Sequence, residues 1–415
     1  MAVQPSVATS TALIVCIRFS ACVKTIDASE VRLLNPILYG RTNALLPLAS
    51  FATDFWRLNH RMHNKLFLAN GSVAVVGGRN ISNEYFLRNL SENYVDFDAL
   101  AVGPVVAQLA RSFRYLLELR AGVFLGSLAP NKATPDELRS ACDRAVQADT
   151  ASPLGAPVAG DLYGNPPFAA DLDAGLPQLV WARAEAYADP PEKVERHGNE
   201  FVDLAGTVTH EAVKTLQAAE NDILLISPYF ISGKLGLERL REVREKRVSV
   251  RVFTNSLASS GVPLESLAYD RYRLLMLQMG IELYEFSSPR LKRSARIRAL
   301  FGTSKGRLHS KLAIVDKQTV LIGSMNFDSR SAWTNTELGL TVRSPELAQR
   351  LLKGYGDYAS GSFYQVRLAP GDGTLEWVAP SGDDPPKAFA AEPEVDWLTR
   401  FMFRVLSAFI PERAL

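Results

Sequence analysis

The chain has 415 residues, 22% of them charged and 47% hydrophobic, a composition that excludes a disordered chain and a length that suffices for two domains. Its net charge is only +2, so overall charge gives no reason to expect a nucleic-acid binder, and attraction to anionic partners must rest on local patches. The three cysteines (Cys16, Cys22, Cys142) show no paired metal-ligand spacing, and their odd count argues against a disulfide framework.

In chain order, residues 11–23 (TALIVCIRFSACV) are apolar but short and interrupted by Arg18. They are predicted as a buried strand, with a signal-like segment as the alternative. No uninterrupted apolar stretch of about 18 residues occurs, so no spanning helix is expected. Residues 61–86 (RMHNKLFLANGSVAVVGGRNISNEYF) then open an internal repeat, whose second copy is 307–332 (RLHSKLAIVDKQTVLIGSMNFDSRSA). Each copy runs from an H-x-K triplet through a short apolar segment to a corner containing glycine. Each continues into a strand-like segment that ends before a proline, at Pro104 and Pro345. Counting back eight residues from each proline pairs Asp96 with Glu337, and a helix-like run follows each proline.

Between the copies, residues 150–178 are rich in Pro, Gly, Ala and Asp and read as a linker. Strands are predicted at 222–227, 248–254, 281–286, 312–316 and 320–322, and helices at 208–219 and 264–279, an alternation that indicates an α/β fold. The segment 289–307 carries seven Lys and Arg and no acids; it reads as a solvated loop or as an attractor of anionic headgroups. Residues 370–393 read as a loop, and 394–410 as an amphipathic helix that lies at an interface or packs on the core.

The repeat has the residues for phosphodiester chemistry. On a strand, positions i and i+2 share a face, so His63 with Lys65, and His309 with Lys311, each pair an imidazole with an ammonium. Asn80 and Asn326 follow tight turns that bring their amides to the same spot. Two lysines and two asparagines can cradle a phosphate diester while one imidazole attacks phosphorus and the other protonates the leaving alcohol. Glu337 and Asp96 are the candidates to orient the imidazoles. His60, His197 and His210 lack this context, and no His/Cys/Asp group has metal-ligand spacing.

HSKLAIVD (309–316), GSMNFDSRS (323–331) and NTE (335–337) resemble the H-x-K-x4-D signature of the phospholipase D superfamily, and HNKLFLAN with GGRNISNEYF its first copy. The segments YVDFDALAVGP, ISPYFISG, FTNSLASSGVP and IPERAL are similar to bacterial cardiolipin synthase-like members. The resemblance implies two α/β sandwich domains related by a pseudo-twofold axis, with the site at their interface. It implies a nucleophile at His63, an acid/base at His309, phosphate ligands at Lys65, Lys311, Asn80 and Asn326, and an orienting Glu337. Asp96 is added by repeat alignment. Ser324 fits the family's G-S-x-N pattern, where the first copy has Gly78. Ser324, Arg79, Tyr229 and Asn255, within these segments, are the substrate-binding candidates. The predicted halves are 1–178 (residues 1–29 atypical, the first sheet lacking one or two strands) and 179–369, with 370–415 as a tail.

Asn70 stands where the pattern has Asp; the second copy keeps Asp316, and a reduced rather than abolished activity is expected. The expected reaction is phosphatidyl transfer through a phosphohistidine, without cofactor or metal. The expected substrate is an anionic phospholipid such as phosphatidylglycerol, met at a membrane surface, peripherally on either face of a bacterial inner membrane. Hydrolysis by the same site, as a phospholipase or nuclease, and a non-catalytic lipid-binding role are the alternatives.

Overall fold

The computed structural model describes residues 32–34, 59–118, 122–124, scattered positions between 134 and 147, 179–195, 205–261, 263–379 and 387–407. The predicted strand at 11–23, all three cysteines, His197 and the linker 150–178 lie outside the described residues.

The strands in chain order are β1 (Arg32–Leu34), β2 (Leu66–Ala69), β3 (Val73–Gly77), β4 (Glu92–Val95), β5 (Asp98–Val102), β6 (Gly122–Phe124) and β7 (Arg183–Ala188). Then come β8 (Asp222–Ile226), β9 (Ser249–Asn255), β10 (Glu282–Phe286), β11 (Lys305–Leu308), β12 (Leu312–Val315) and β13 (Thr319–Gly323). The last are β14 (Leu338–Arg343), β15 (Phe363–Leu368), β16 (Leu375–Val378) and β17 (Ala388–Phe389). Ten of them form one mixed sheet in the order β17-β16-β15-β10-β9-β8-β12-β13-β14-β7. Within it β8, β9 and β10 run parallel, which requires crossovers, and the helices Gly233–Glu245 and Pro263–Gln278 supply them.

Strand β12 (LAIV) is buried throughout, as a central strand covered on both faces must be. Alternate residues of β8 go to opposite layers. Ile223 and Leu225 pack with Leu237, Tyr269 and Met276, whereas Leu224 and Ile226 pack with Leu291, Phe301 and Leu351. The covering helices start at chemically suited residues. Ser344 accepts from Leu347 N at 3.1 Å ahead of Pro345, and Thr207 accepts from His210 N at 3.1 Å.

The first repeat forms a three-stranded sheet, β2-β3-β5, with the same antiparallel order as β12-β13-β14 in the second. Ala74, Val76, Val106 and Leu109 of the first copy share a core with Leu338 and Leu340 of the second. The copies also exchange backbone. His309 N donates to Val95 O at 2.7 Å and His63 N to Thr336 O at 3.0 Å. Strand β11 pairs in parallel with β4, and Met62 forms a parallel bridge with Thr336. Each H-x-K triplet is therefore anchored by the segment that carries the other copy's carboxylate.

Two expectations change. Residues 370–393 contribute β16 and β17, because Trp377 faces the core and its Nε1 donates to buried Glu285 at 2.7 Å. The basic run 289–307 contains two short helices and β11, with Arg290 buried and bonded to Gly361 O at 3.2 Å.

Candidate active site

Each H-x-K triplet lies immediately before a strand, β2 or β12, and ends one residue ahead of it. The lysines curl back: Lys65 Nζ donates to His63 O at 2.7 Å and Lys311 Nζ to His309 O at 2.6 Å. Both lysines are buried. Across the junction, His63 Nδ1 lies 2.9 and 3.0 Å from the two oxygens of Glu337, and His309 Nδ1 lies 2.7 Å from Asp96 Oδ2. An ionised carboxylate can only accept, so Nδ1 carries the proton in both rings and Nε2 presents its lone pair. The two carboxylates have no exposed side-chain surface, which holds each ring in one orientation.

The charges of this cluster act on one another. Burial pushes Lys65 down to about 7, assisted by Lys311, and pushes Lys311 down to about 8. Burial lowers His63, Glu337 opposing it; His309 falls well below the usual histidine value through burial and then Lys311, Lys65 and His63. Burial drives Asp96 up to about 6 against Lys311 and Arg79. For Glu337 burial is outweighed by His63 and Lys65, which hold it down to about 2. The cluster is thus short of negative charge, and an anion placed between the lysines would relieve it.

Asn80 Nδ2 donates to Tyr85 Oη at 2.9 Å, and Tyr85 Oη lies 3.3 Å from His309 Nε2. Asn326 is buried, and its Oδ1 has no hydrogen-bond partner among the described residues.

Three of the substrate-binding candidates have their polar groups engaged inside the protein. Ser324 Oγ donates to Glu337 Oε2 at 2.5 Å and accepts from Leu338 N at 2.9 Å, so it fixes the carboxylate. Arg79 is bound to Asp98 at 2.5 Å and to Asp96 O at 2.8 Å, which pins the turn that presents Asp96. Asn255 accepts from Leu308 N at 3.0 Å and donates to Leu308 O at 2.9 Å and Pro228 O at 3.2 Å, stapling β11 to the loop of Tyr229. Tyr229 itself is half-buried and lies within electrostatic reach of Tyr85 and Tyr94.

Asn70 and Asp316 close the β2–β3 and β12–β13 turns with φ of 49° and 51°, a left-handed region that Asn and Asp both tolerate. Asp316 accepts from the backbone N–H groups of Glu220, Asn221 and Asp222 at 2.9, 2.7 and 3.0 Å. Asn70 is exposed at the far end of β2 from His63, and its side chain makes no such bonds to the described residues. Asparagine preserves the turn there, and this geometry gives no physical reason for the loss of activity expected from it.

Two groups are not legible from the repeat. Tyr85 aligns with Ser331, so comparison of the copies hides it; the unmatched EYF of the first copy is its signal. Asp189, which is buried, accepts from Glu337 N at 3.0 Å and from Lys193 Nζ at 2.5 Å, and Lys193 also donates to Ser331 O at 2.8 Å. A D-x3-K spacing is too common to mark such a buried brace.

The family described as "Cardiolipin synthase, PLD-like domain" matches residues 212–355. Cardiolipin synthase C of Escherichia coli is 33% identical over 84% of this chain and 71% of its own length. An uncharacterized protein of Helicobacter pylori is 28% identical over 81% of this chain and 64% of its own length. The chain thus spans about two thirds of these relatives. In fold it matches the crystal structure of phosphatidylserine synthase from Haemophilus influenzae with a TM-score of 0.50 at 14% identity, covering 84% of this chain and 68% of that one. With two H-x-K triplets set against two buried carboxylates and a relative of this identity and coverage, the chain belongs to the phospholipase D-like family that includes the bacterial cardiolipin synthases.

Proposed function

We propose that the chain is a phosphatidyltransferase of the cardiolipin synthase type that works through a phosphohistidine on His63. The observation that carries this reading is the reciprocal arrangement in which each imidazole has its Nδ1 proton held by a carboxylate of the other copy, with Lys65 and Lys311 beside the rings. A donor phosphodiester seated there returns charge to both lysines and raises the proton affinity of His309. His63 Nε2 attacks phosphorus, a P–N bond forms, and the P–O bond to the leaving alcohol breaks as His309 supplies a proton to that oxygen. In the second step the neutral His309 takes the proton of an incoming hydroxyl, whose oxygen replaces the His63 nitrogen on phosphorus. Lys65, Lys311, Asn80 and Asn326 would hold the non-bridging oxygens, where charge grows in the transition state.

The same reading divides the chain into two halves, 1–178 and 179–369, that supply one histidine each. A lipid substrate is supported by the helix Trp397–Ser407, which leaves Trp397, Leu398, Phe401, Met402 and Val405 exposed. Leu274 and Leu275 of the helix that it contacts are exposed as well. Exposed apolar side chains on a helix are of the kind that enters the interfacial layer of a bilayer, and anionic lipid such as phosphatidylglycerol is the substrate proposed. No helix among the described residues is long and apolar enough to cross a membrane.

The test is incubation of the chain with vesicles of phosphatidylglycerol. Cardiolipin with release of glycerol is the expected product. Phosphatidic acid alone would assign hydrolysis, and turnover of nucleic acid without lipid turnover would overturn the lipid reading.

A further inference from the structure

Arg307 stands two residues before His309, opposite Tyr94 in the β11–β4 register. Arg307 lies within electrostatic reach of Tyr94, whose ring centroid is 5.1 Å from that of His309. The arginine side chain is only 20% exposed, and Nη2 meets Glu92 at 2.7 Å. Its Nε and Nη1 are buried with no hydrogen-bond partner among the described residues. A buried guanidinium ordinarily uses its fork of donors, so unspent ones beside a catalytic imidazole call for an acceptor from outside.

A complementary group lies across Tyr229. Glu265, in the first turn of the helix Pro263–Gln278, lies within electrostatic reach of Tyr229, and its Oε2 is buried without a partner among the described residues. Tyr229 has Glu265, Tyr94, Tyr85 and Arg307 as its electrostatic neighbours. The Tyr85 and Tyr94 rings lie 4.6 Å apart, tilted by 36°, and flank the His309 ring at 5.0 and 5.1 Å, so an aromatic wall joins this cluster to the imidazole. Position 85 is Ser331 in the second repeat, which assigns the wall to the His309 side. Burial, then Asp328, pushes Glu265 up to about 8, so at neutral pH it can donate as well as accept a hydrogen bond.

We propose that Arg307, Tyr229 and Glu265 form the headgroup subsite for the accepting alcohol, and that they select an acceptor carrying its hydroxyls on a glycerol phosphate. This rests on the transfer reading above and names its acceptor site. The acceptor's own phosphate takes the free Nε and Nη1 of Arg307, and a glycerol hydroxyl bonds to Glu265 and Tyr229. The terminal hydroxyl then lies at His309 Nε2, which removes its proton as the oxygen forms its bond to phosphorus and the His63 nitrogen leaves.

The experiment supplies the full chain with phosphatidylglycerol vesicles as donor and either glycerol phosphate or ethanol as soluble acceptor. The quantity read is the ratio of kcat/KM for glycerol phosphate to that for ethanol. Arg307→Gln is expected to lower this ratio about tenfold or more, as loss of a charged fork does. Glu265→Gln, on a different element, is expected to shift it in the same direction, which guards against misfolding of one variant. Equal losses with both acceptors, or a ratio unchanged in both variants, would overturn the subsite while leaving transfer standing. A wild type that forms no cardiolipin and transfers to neither soluble acceptor would overturn the transfer reading and the subsite with it, whereas cardiolipin formation without any preference for glycerol phosphate over ethanol would overturn the subsite alone.

Discussion

Gly78 and Ser324 occupy equivalent corners, and the carboxylates behind them differ to match. In the second copy the Ser324 hydroxyl holds Glu337. In the first, a Cβ at Gly78 would lie 2.3 Å from Asp96 Oδ1 and 2.7 Å from Oδ2, so the shorter carboxylate fills the space that the serine would need. Serine with glutamate and glycine with aspartate are alternative solutions to one packing problem. Gly78→Ser alone should therefore displace Asp96 and cost about 10²-fold in turnover of the phospholipid substrate. The double variant Gly78→Ser/Asp96→Glu should recover much of that loss. Wild-type turnover in the single variant would show that Asp96 does not orient His309. At this scale the sequence made the histidines, lysines and both carboxylates legible, because a repeat marks them twice. Tyr85, Asp189 and Lys193 escaped because the repeat does not duplicate them. Ser324, Arg79 and Asn255 read as substrate-binding candidates from the sequence, whereas their polar groups are engaged within the protein, because their partners are set by tertiary packing that spacing does not encode.

Elements that bury both faces were the most legible. The apolar runs at 222–227, 248–254, 281–286 and 312–316 correspond to β8, β9, β10 and β12, within a residue or two at each end. The helices at 208–219 and 264–279 are found at Val208–Gln217 and Pro263–Gln278. The edge strand β17 and its neighbour β16 were not legible, since they are short and set among Pro, Gly and Asp. Their place is fixed instead by Trp377 on Glu285, itself in reach of buried Arg273, a contact between positions about a quarter of the chain apart. The basic run 289–307 misled because net charge says nothing of where each side chain goes. Arg290 is buried against Gly361 O, whereas Arg307 meets Glu92 at the edge of the site.

Across the whole molecule, the two repeats are joined by exchanged backbone bonds, a shared core and crossed histidine–carboxylate pairs. The same burial that fixes these pairs confines two lysines, so folding leaves cationic charge under strain. Both lysines sit below their ordinary value near 10.5, so the unfolded chain binds more protons and stability should rise from about pH 7 towards 10.5 on their account. Anion binding reverses the shift and draws protons in. At pH 8, binding of sulfate, which does not titrate there, should take up about one proton per site. Calorimetry in buffers of different ionisation enthalpy reads this directly. A binding enthalpy independent of buffer would refute the lysine cradle.

The central claim, that His63 is the nucleophile and His309 its acid and base, is tested most directly by trapping the covalent intermediate. The chain is mixed with a phosphodiester bearing a p-nitrophenyl leaving group, which departs without a general acid, then quenched and mapped by mass spectrometry. The expected result is phosphorylation at His63, which persists in His309→Ala because resolution of the intermediate is slowed, and is absent in His63→Ala. A modification mapped to His309, or turnover by His63→Ala, would contradict the assignment.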